Sequence, residues 1–384
     1  MKDAIIVGGG ILGMLTARFL HEAGMKVMII DQGELGKEST WAGGGILSPL
    51  YPWRYPDAIS RLTQYSQQHY PALCDTLQDI TGIDPQWIRS GLLMTDANES
   101  AAAQAWAQTW GYTLQPLNTG TEMHTCEPQL AESFQQGMFM PAIAQMRNPR
   151  IADSLRTSLR LLPIEIAEHY PVTGLETANG RVTGVQLGNE VFKANNVILT
   201  TGAWTGLFPE MQALNVDIRP VRGQMILFRG PKGLLKRIVL HEGRYLIPRQ
   251  DGRILCGSTL EMRGFDKQTT AAGLDELRET AYAIMPALRE LPINNHWSGL
   301  RPGSPNGVPY IDEHPDIAGL YVNAGHYRYG VTMALASVQL LTDVMLGRTP
   351  CIDPTPYRLD AVRTPSAEFI RTEILENANL NQGL

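Results

Sequence analysis

The sequence predicts an α/β fold in which a domain built on a parallel sheet is interleaved with a smaller α+β domain. At the start of the chain a continuous apolar run leads into a glycine-rich turn and then into an apolar segment with helical spacing. A strand that leads into a glycine turn returns near residue 200 and again near residue 325. Continuous apolar runs are typical of parallel strands buried on both faces. We therefore expect one sheet assembled from distant parts of the chain.

The composition bounds the class of protein. The chain has 384 residues, of which 43% are hydrophobic and 18% charged, and its formal net charge is −6. At roughly 150 residues per domain, this length predicts two or three globular domains. An acidic balance without runs of Lys or Arg argues against nucleic acid and anionic membranes as partners. Glycines interrupt the N-terminal apolar run, so it predicts neither a signal peptide nor a membrane span.

The four cysteines are dispersed, at positions 74, 126, 256 and 351. None lies within a CxxC or CxxxC pair, which argues against a disulfide framework and against a metal site. The sequence therefore predicts a protein of the reducing cytoplasm without a bound metal.

The first glycine turn carries a nucleotide-binding pattern. Gly8, Gly10 and Gly13 directly follow a strand and open a helix, which is the context of the dinucleotide fingerprint. Asp31 ends the second strand, where a carboxylate can accept hydrogen bonds from a ribose 2′-OH and disfavours a 2′-phosphate. A Rossmann-like βαβ unit for an unphosphorylated dinucleotide follows, and this motif alone leaves NAD and FAD open.

Three further segments favour FAD, because a long, extended flavin dinucleotide needs contacts that are remote in sequence. They are residues 39–46, 200–204 and 325–332. In the last, a strand delivers glycines to a helix N-terminus, whose partial positive charge would stabilise the anionic end of a reduced flavin.

The remaining pattern predicts secondary structure and domain organisation. Helices are expected at 58–80, 99–110, 274–285 and 367–378, and a long one after 330, with strands at 91–94, 137–140, 182–187, 191–199, 224–228, 245–248, 253–257 and 320–324. A Rossmann-like FAD-binding domain is predicted from residues 1–85, 150–215 and 300–365. A substrate-binding domain with a mixed sheet is predicted from residues 86–149 and 216–299, and a C-terminal tail from 366–384.

Several motifs together resemble one family. They are the fingerprint with Asp31, the STWAGGGI stretch at 39–46, TGAW at 201–204, HWSGLRPG at 296–303, PYI at 309–311 and GHYRYG at 325–330. Over residues 3–362 the chain is similar to FAD-dependent amine oxidoreductases of the D-amino acid oxidase and sarcosine oxidase type, and within them to the glycine oxidases of thiamine biosynthesis.

The resemblance implies a set of cofactor-binding residues. Residues 303–314 lack the cysteine that attaches the flavin in some members, which implies non-covalent FAD. The implied cofactor-binding residues are Gly8, Gly10, Ile11, Leu12, Gly13, Asp31, Gln32, Ser39, Thr40, Gly44, Gly45, Ile46, Val172, Gly202, His326, Tyr327, Arg328, Tyr329, Gly330, Val331 and Thr332.

The resemblance also implies that Arg301 binds a substrate carboxylate, with Tyr245 and Arg328 beside it. A guanidinium grips a carboxylate through two parallel hydrogen bonds, which independently favours this role for Arg301. A structural salt bridge for Arg301, a half-buried strand position for Tyr245 and a backbone role for Arg328 remain open alternatives.

The implied reaction is hydride transfer from the Cα of a small amino acid or amine to the flavin, with O₂ as the final acceptor and H₂O₂ as a product. It requires no catalytic acid or base, and His241, His296 and His326 suit structural roles. The implied downstream partner is thiazole synthase. A dehydrogenase that reduces a quinone, a flavoprotein subunit of a heteromeric complex and a homo-oligomer stay open.

Overall fold

The computed structural model describes residues 1–366, so the helix expected at 367–378 lies outside the described residues. The strands, in chain order, are β1 (Lys2–Val7), β2 (Val27–Ile30), β3 (Leu92–Met94), β4 (Gln115–Leu117), β5 (Gly137–Met140), β6 (Glu165–Ala167), β7 (Gly174–Ala178), β8 (Arg181–Leu187), β9 (Glu190–Leu199), β10 (Arg219–Arg229), β11 (Ile238–His241), β12 (Arg244–Pro248), β13 (Arg253–Gly257), β14 (Ile293–Gly303), β15 (Tyr310–Glu313) and β16 (Leu320–Ala324).

The α-helices of this part of the chain are α1 (Ile11–Glu22), α2 (Ser39–Ala42), α3 (Asp57–Thr81), α4 (Ser100–Trp110), α5 (Gly120–Cys126), α6 (Asn148–Arg160), α7 (Pro209–Ala213), α8 (Ala271–Ile284) and α9 (Gly330–Met345). Short 3₁₀ turns lie at Pro52–Arg54, Gly202–Leu207, Pro286–Glu290, Tyr327–Tyr329 and Thr355–Tyr357. The strands and helices expected within residues 1–366 are confirmed to within a few residues. Strand β10 is longer than the strand expected at 224–228, and α8 begins before the helix expected at 274–285.

The first sheet has a parallel centre. Its order is β15-β16-β9-β1-β2-β6, and β8 and β7 extend from β9 as an antiparallel meander. Val7 at the end of β1 pairs with Ile30 of β2 and with Leu199 of β9. The carboxyl ends of three parallel strands therefore meet at one edge, which is where open α/β sheets bind ligands.

The second sheet has the order β14-β10-β13-β12-β11-β3-β5-β4. It is mixed, because β11 and β3 are parallel whereas the other neighbours are antiparallel. The predicted α/β fold is thus confirmed, although the first sheet is also mixed because it carries the antiparallel strands β15, β8 and β7. Strand β14 pairs with β10 as far as Gly303, so this sheet extends past the boundary predicted at residue 300.

Helices α1 and α9 pack against strands of the first sheet, α6 packs on α1, and α3 packs on α6 and α9. Fully buried side chains of this layer include Leu15, Ile29, Leu155 and Leu341. Helix α8 covers the second sheet through Leu277 and other apolar residues. Gly13 brings α1 close to β1, because a Cβ atom there would overlap the carbonyl oxygen of Gly8. Among residues 1–366, no helix has both the length and the apolar character needed to cross a bilayer.

Candidate active site

Two cavities join into one groove. The strand-end cavity lies at the carboxyl ends of β1, β2 and β9 and is lined by Gly8 and Asp31, among others. The two-sheet cavity is lined by residues of both sheets, including Tyr245 of β12 and Gly330 at the start of α9. Both cavities are lined by Gly10, Ser39, Thr40, Thr200 and Gly202. The groove can therefore hold a long, extended molecule.

The structure brings the candidate residues together around this groove. Those that line the strand-end cavity are Gly8, Gly10, Asp31, Gln32, Ser39, Thr40, Val172 and Gly202. Those that line the two-sheet cavity are Gly10, Ile11, Leu12, Ser39, Thr40, Gly44, Gly45, Ile46, Gly202, Tyr245, Arg301, His326, Tyr327, Arg328, Tyr329, Gly330, Val331 and Thr332. Gly13 lines neither cavity, and its place is the contact between α1 and β1. The individual binding roles stay predictions.

Asp31 sits at the head of the strand-end cavity. Its Oδ2 accepts a hydrogen bond from the backbone N–H of Gly9 at 2.6 Å, and its Oδ1 accepts one from Gly33 at 2.7 Å. Burial raises the pKa of Asp31, and the two backbone hydrogen bonds oppose that rise. A carboxylate has about four lone-pair sites. Asp31 can therefore hold the glycine turn in place and still accept hydrogen bonds from ribose hydroxyls.

The N-terminus of α9 faces the two-sheet cavity. The hydroxyl of Thr332 donates to the carbonyl of Ile46 at 2.9 Å, and the hydroxyl of Tyr70 donates to the carbonyl of Val331. These bonds tie the helix start to the 39–46 segment and to α3. A helix N-terminus carries a partial positive charge and unpaired N–H groups. This wall therefore favours a ligand that carries or develops negative charge.

Two buried polar atoms on the cavity lining lack partners among the described residues. They are Nδ1 of His326 and Oδ1 of Asn148. The other ring nitrogen of His326 lies 2.8 Å from the hydroxyl of Ser337, and burial lowers the pKa of His326 to about 3, so the ring is neutral. Buried polar atoms are normally hydrogen-bonded. A flavin, with its polar ring edge, fits a wall that offers these atoms.

Arg301 reaches the two-sheet cavity from β14. Its Nη2 donates to the hydroxyl of Ser258 at 2.6 Å, and its Nη1 lies 3.3 Å from the carbonyl oxygen of Thr259. It passes over Gly223 of the neighbouring strand, where the lack of a side chain leaves room for the guanidinium. These two contacts hold the guanidinium of Arg301 at the lining of the two-sheet cavity.

A hydrogen-bond network centred on Glu261 includes Thr259, which contacts Arg301. Glu261 accepts hydrogen bonds from the hydroxyl of Thr259 at 2.5 Å, from Arg222 at 2.6 Å and from Gln224 at 2.8 Å. Burial opposes ionisation of Glu261, but these hydrogen bonds outweigh it and lower its pKa. The network holds the Thr259 side chain, and the carbonyl oxygen of the same residue contacts Arg301.

Tyr245 and Arg328 flank the same cavity. The Tyr245 hydroxyl lies 3.9 Å from Sδ of Met225. Nη2 of Arg328 lies 3.3 Å from the carbonyl oxygen of Gly243, and the Gly243 N–H donates to the hydroxyl of Tyr51 at 3.1 Å. Arg328 is therefore anchored to the turn between β11 and β12.

Sequence reasoning missed several lining residues, namely Asn148, Gly223, Met225 and Ser258. None belongs to a motif, and strand pairing over long separations brings them to the cavity. His241 and His296 lie away from its lining, since His241 is 2.7 Å from the Thr95 hydroxyl and His296 is 2.9 Å from Gln224. In the described part of the chain, no group of three or more His, Cys, Asp or Glu side chains could hold a metal ion.

Comparisons with known proteins agree with this geometry. A family model described as FAD dependent oxidoreductase matches residues 3–344. The chain is 44% identical to a glycine oxidase of Pseudomonas putida over 93% of this chain and 98% of that protein. It is 29% identical to a bifunctional protein ThiO/ThiG of Trichormus variabilis, over 90% of this chain and 53% of that protein. The crystal structure of glycine oxidase from Geobacillus kaustophilus superposes with a TM-score of 0.89 at 27% identity, covering 94% of this chain and 99% of that one.

Proposed function

Because the chain belongs to the family of FAD dependent oxidoreductases, we propose that it catalyses the oxidative deamination of glycine and of other small amines and amino acids, such as sarcosine and small D-amino acids. The balanced reaction for glycine consumes O₂ and water and yields glyoxylate, ammonia and H₂O₂. The glycine oxidase relative at 44% identity supports this choice of substrate.

The position of Arg301 carries the proposal. Its guanidinium lines the two-sheet cavity, with neutral hydrogen-bond partners in Ser258 and Thr259. A carboxylate bound there would form charge-assisted hydrogen bonds with a fork of matching geometry. Tyr245 and Arg328, on the same lining, would complete the substrate site.

The chain's own residues would orient the substrate and exclude water, and they would not exchange protons with the substrate. FAD, when bound, supplies the hydride acceptor and passes the electrons to O₂. Arg301 would hold the substrate by its carboxylate so that the Cα–H faces the reactive ring, and Met225 and Tyr245 would wall off solvent. The N-terminus of α9 would stabilise negative charge on the cofactor. No side chain is needed as a general base if the amine binds in its neutral form.

FAD would lie along the groove with its adenosine half in the strand-end cavity, next to Asp31, and its ring in the two-sheet cavity. The glycine turn, the α9 N-terminus and the orphaned atoms of His326 and Asn148 support this placement. No cysteine lines either cavity, which supports non-covalent binding.

The imine product would feed the thiazole of thiamine through thiazole synthase. The relative named bifunctional protein ThiO/ThiG, of which this chain matches about half, supports such a link. A cytoplasmic location is consistent with the free cysteines Cys74, Cys126, Cys256 and Cys351.

A flavin spectrum and a substrate panel test the proposal. The purified protein should be yellow, release its flavin on denaturation, and be bleached by anaerobic glycine or sarcosine. With O₂ present, H₂O₂ should form in amounts equal to the O₂ consumed. Colourless protein, or yellow protein that glycine, sarcosine and D-alanine all leave oxidised, would refute the proposal. If glycine bleaches the protein without O₂ consumption and a quinone restores the yellow colour, the protein would instead be a dehydrogenase.

A further inference from the structure

Arg249 is a buried cation that the predicted cofactor and substrate residues do not include. It directly follows β12 and is only 6% exposed. Its Nη1 donates to Oε1 of Gln145 at 2.7 Å and to the carbonyl of Met146 at 3.0 Å, and its Nη2 donates to the carbonyl of Gly44 at 2.7 Å. All these hydrogen-bond partners, within residues 1–366, are neutral.

Two oppositely charged groups, Arg147 and Asp251, act on Arg249 with opposite sign. Nη1 of Arg147 and Oδ2 of Asp251 form an ion pair at 2.9 Å. Burial lowers the pKa of Arg249 to about 9, which leaves its guanidinium charged at neutral pH. The protein therefore maintains a net positive charge in its interior at this point.

That charge lies directly behind the cavity wall. Gly44 lines the two-sheet cavity, and a Cβ atom placed on it would lie 3.2 Å from the ring of Tyr245. Arg249 is thus separated from the cavity by one backbone unit of the 39–46 segment. Electrostatic interactions across buried, poorly screened regions are stronger than those at the surface.

A purely structural role does not account for a charged side chain at position 249. Buried charge carries a desolvation penalty, and a neutral amide can also donate a hydrogen bond to the carbonyl of Gly44. A buried charge whose hydrogen-bond partners among residues 1–366 are all neutral, and which lies next to a ligand site, favours negative charge on the ligand.

We propose that Arg249 acts from behind Gly44 as a positioning residue that stabilises the negative charge FAD acquires on reduction, and thereby raises its reduction potential. The inference rests on the proposed function, because it requires the redox-active ring to occupy the two-sheet cavity.

Substitutions at position 249 separate charge from hydrogen bonding. Arg249→Gln keeps a donor without charge, Arg249→Met removes both, and Arg249→Lys keeps charge with a different geometry. Arg253→Gln is the matched control, because it removes one charge from the next strand at a side chain that is 41% exposed and paired with Asp251.

Two readouts independent of turnover are measured on each FAD-loaded variant. The first is the dissociation constant of sulfite, whose sulfur lone pair forms a bond to the flavin ring while the ring takes up the negative charge, so no oxidant or reductant is consumed. The second is the reduction potential, measured by equilibration with a redox dye.

Arg249→Gln and Arg249→Met should each weaken sulfite binding about tenfold or more and lower the potential by roughly 30 mV for each tenfold change. Arg249→Lys and Arg253→Gln should stay within about threefold of wild type, because the first keeps the charge and the second loses only a screened one. The inference would be overturned if Arg249→Gln bound sulfite within about twofold of wild type, or if Arg249→Lys bound sulfite as weakly as Arg249→Gln. The proposed function would survive either result if glycine still bleaches the wild type. Wild-type protein without FAD would overturn the proposed function as well.

Discussion

The guanidinium of Arg301 occupies the space that a side chain at position 223 would fill. A Cβ atom on Gly223 would overlap both terminal nitrogens and the central carbon of the Arg301 guanidinium. The pairing of β10 with β14 creates this contact, since Gly223 lies opposite Gly299 and Val221 lies opposite Arg301. A glycine in one strand thus allows an arginine of the next strand to reach the cavity.

Gly223→Ala should therefore impair substrate binding. Displacing Arg301 should raise KM for glycine by about 30-fold, equivalent to roughly 2 kcal/mol, with little change in FAD affinity. Gly184→Ala is the matched control, because a Cβ there also overlaps a neighbouring strand, at Phe192, and Gly184 lines neither cavity. Steady-state kinetics on FAD-saturated protein provide the test, and a KM that moves no more than in the control would contradict it.

Arg301→Ala should lose the carboxylate anchor itself. We expect KM for glycine to rise by a factor that corresponds to about 2 to 4 kcal/mol of lost binding free energy, while FAD stays bound. Arg301→Lys should recover only part of the loss, because an ammonium lacks the planar fork. An unchanged KM in Arg301→Ala would remove Arg301 from the substrate site.

His326 should make stability depend on pH. Its pKa is about 3 in the folded protein, because burial disfavours the charged ring, against about 6.5 when unfolded. Between these values the unfolded state binds more protons, so the free energy of unfolding falls as pH falls below about 6.5, by up to roughly 1.4 kcal/mol per pH unit.

Urea unfolding of the apoprotein at pH 7 and pH 5 measures this effect. Between pH 7 and pH 5, the free energy of unfolding should fall by about 2 kcal/mol less in His326→Asn than in wild type. His169→Asn is the control, because His169 is exposed and its positive φ suits asparagine. Equal losses in wild type and His326→Asn would show that His326 is not the group that titrates.

Asp31→Asn should weaken FAD binding. The substitution removes the charge and one acceptor from a carboxylate that holds Gly9 and Gly33 and lines the strand-end cavity. We expect the dissociation constant of FAD to rise roughly 10- to 100-fold, as for lost charge-assisted hydrogen bonds. Fluorescence titration of the apoprotein measures it. Asp3→Asn removes a similar carboxylate that accepts from Lys26 and should leave FAD affinity unchanged.

Tyr51→Phe should act on substrate binding through Arg328. The Tyr51 hydroxyl donates to Asp96 and accepts from the Gly243 N–H, and Gly243 in turn accepts from Arg328. Loss of this link should raise KM about three- to tenfold without changing FAD affinity, as for one hydrogen bond. Tyr112→Phe removes a comparable bond to Gln67 outside the groove and should change neither value.

Local pattern was sufficient where the chemistry is local. The βαβ unit with Asp31 could be predicted because strand, glycine turn and helix follow one another within the first 31 residues. The 39–46 and 325–332 segments could be identified as cofactor candidates because glycine clusters are rare outside turns. The division of the chain into domains at the stated boundaries stays a prediction.

What the sequence could not reveal arises from pairing at long range. Gly223 becomes important only because β10 lies beside β14, and Arg249 only because its side chain reaches Gly44, about 200 positions earlier. An isolated glycine in a strand region indicates a bulge or a close approach, but neither it nor an isolated arginine identifies the neighbour. The buried network of Glu261 and Arg222 likewise depends on tertiary contacts that no periodicity encodes.

The interleaving of the chain has a consequence for its synthesis on the ribosome. Strand β1 pairs with β9, which starts at Glu190, so this pairing cannot form until that part of the chain is made. The groove also requires the start of α9 at Gly330. A nascent chain therefore exposes its glycine turn long before it can enclose a ligand. We therefore expect FAD to bind only full-length molecules, which it would stabilise by mass action. We expect cells short of riboflavin to accumulate complete but cofactor-free chains, which are the form most open to proteolysis.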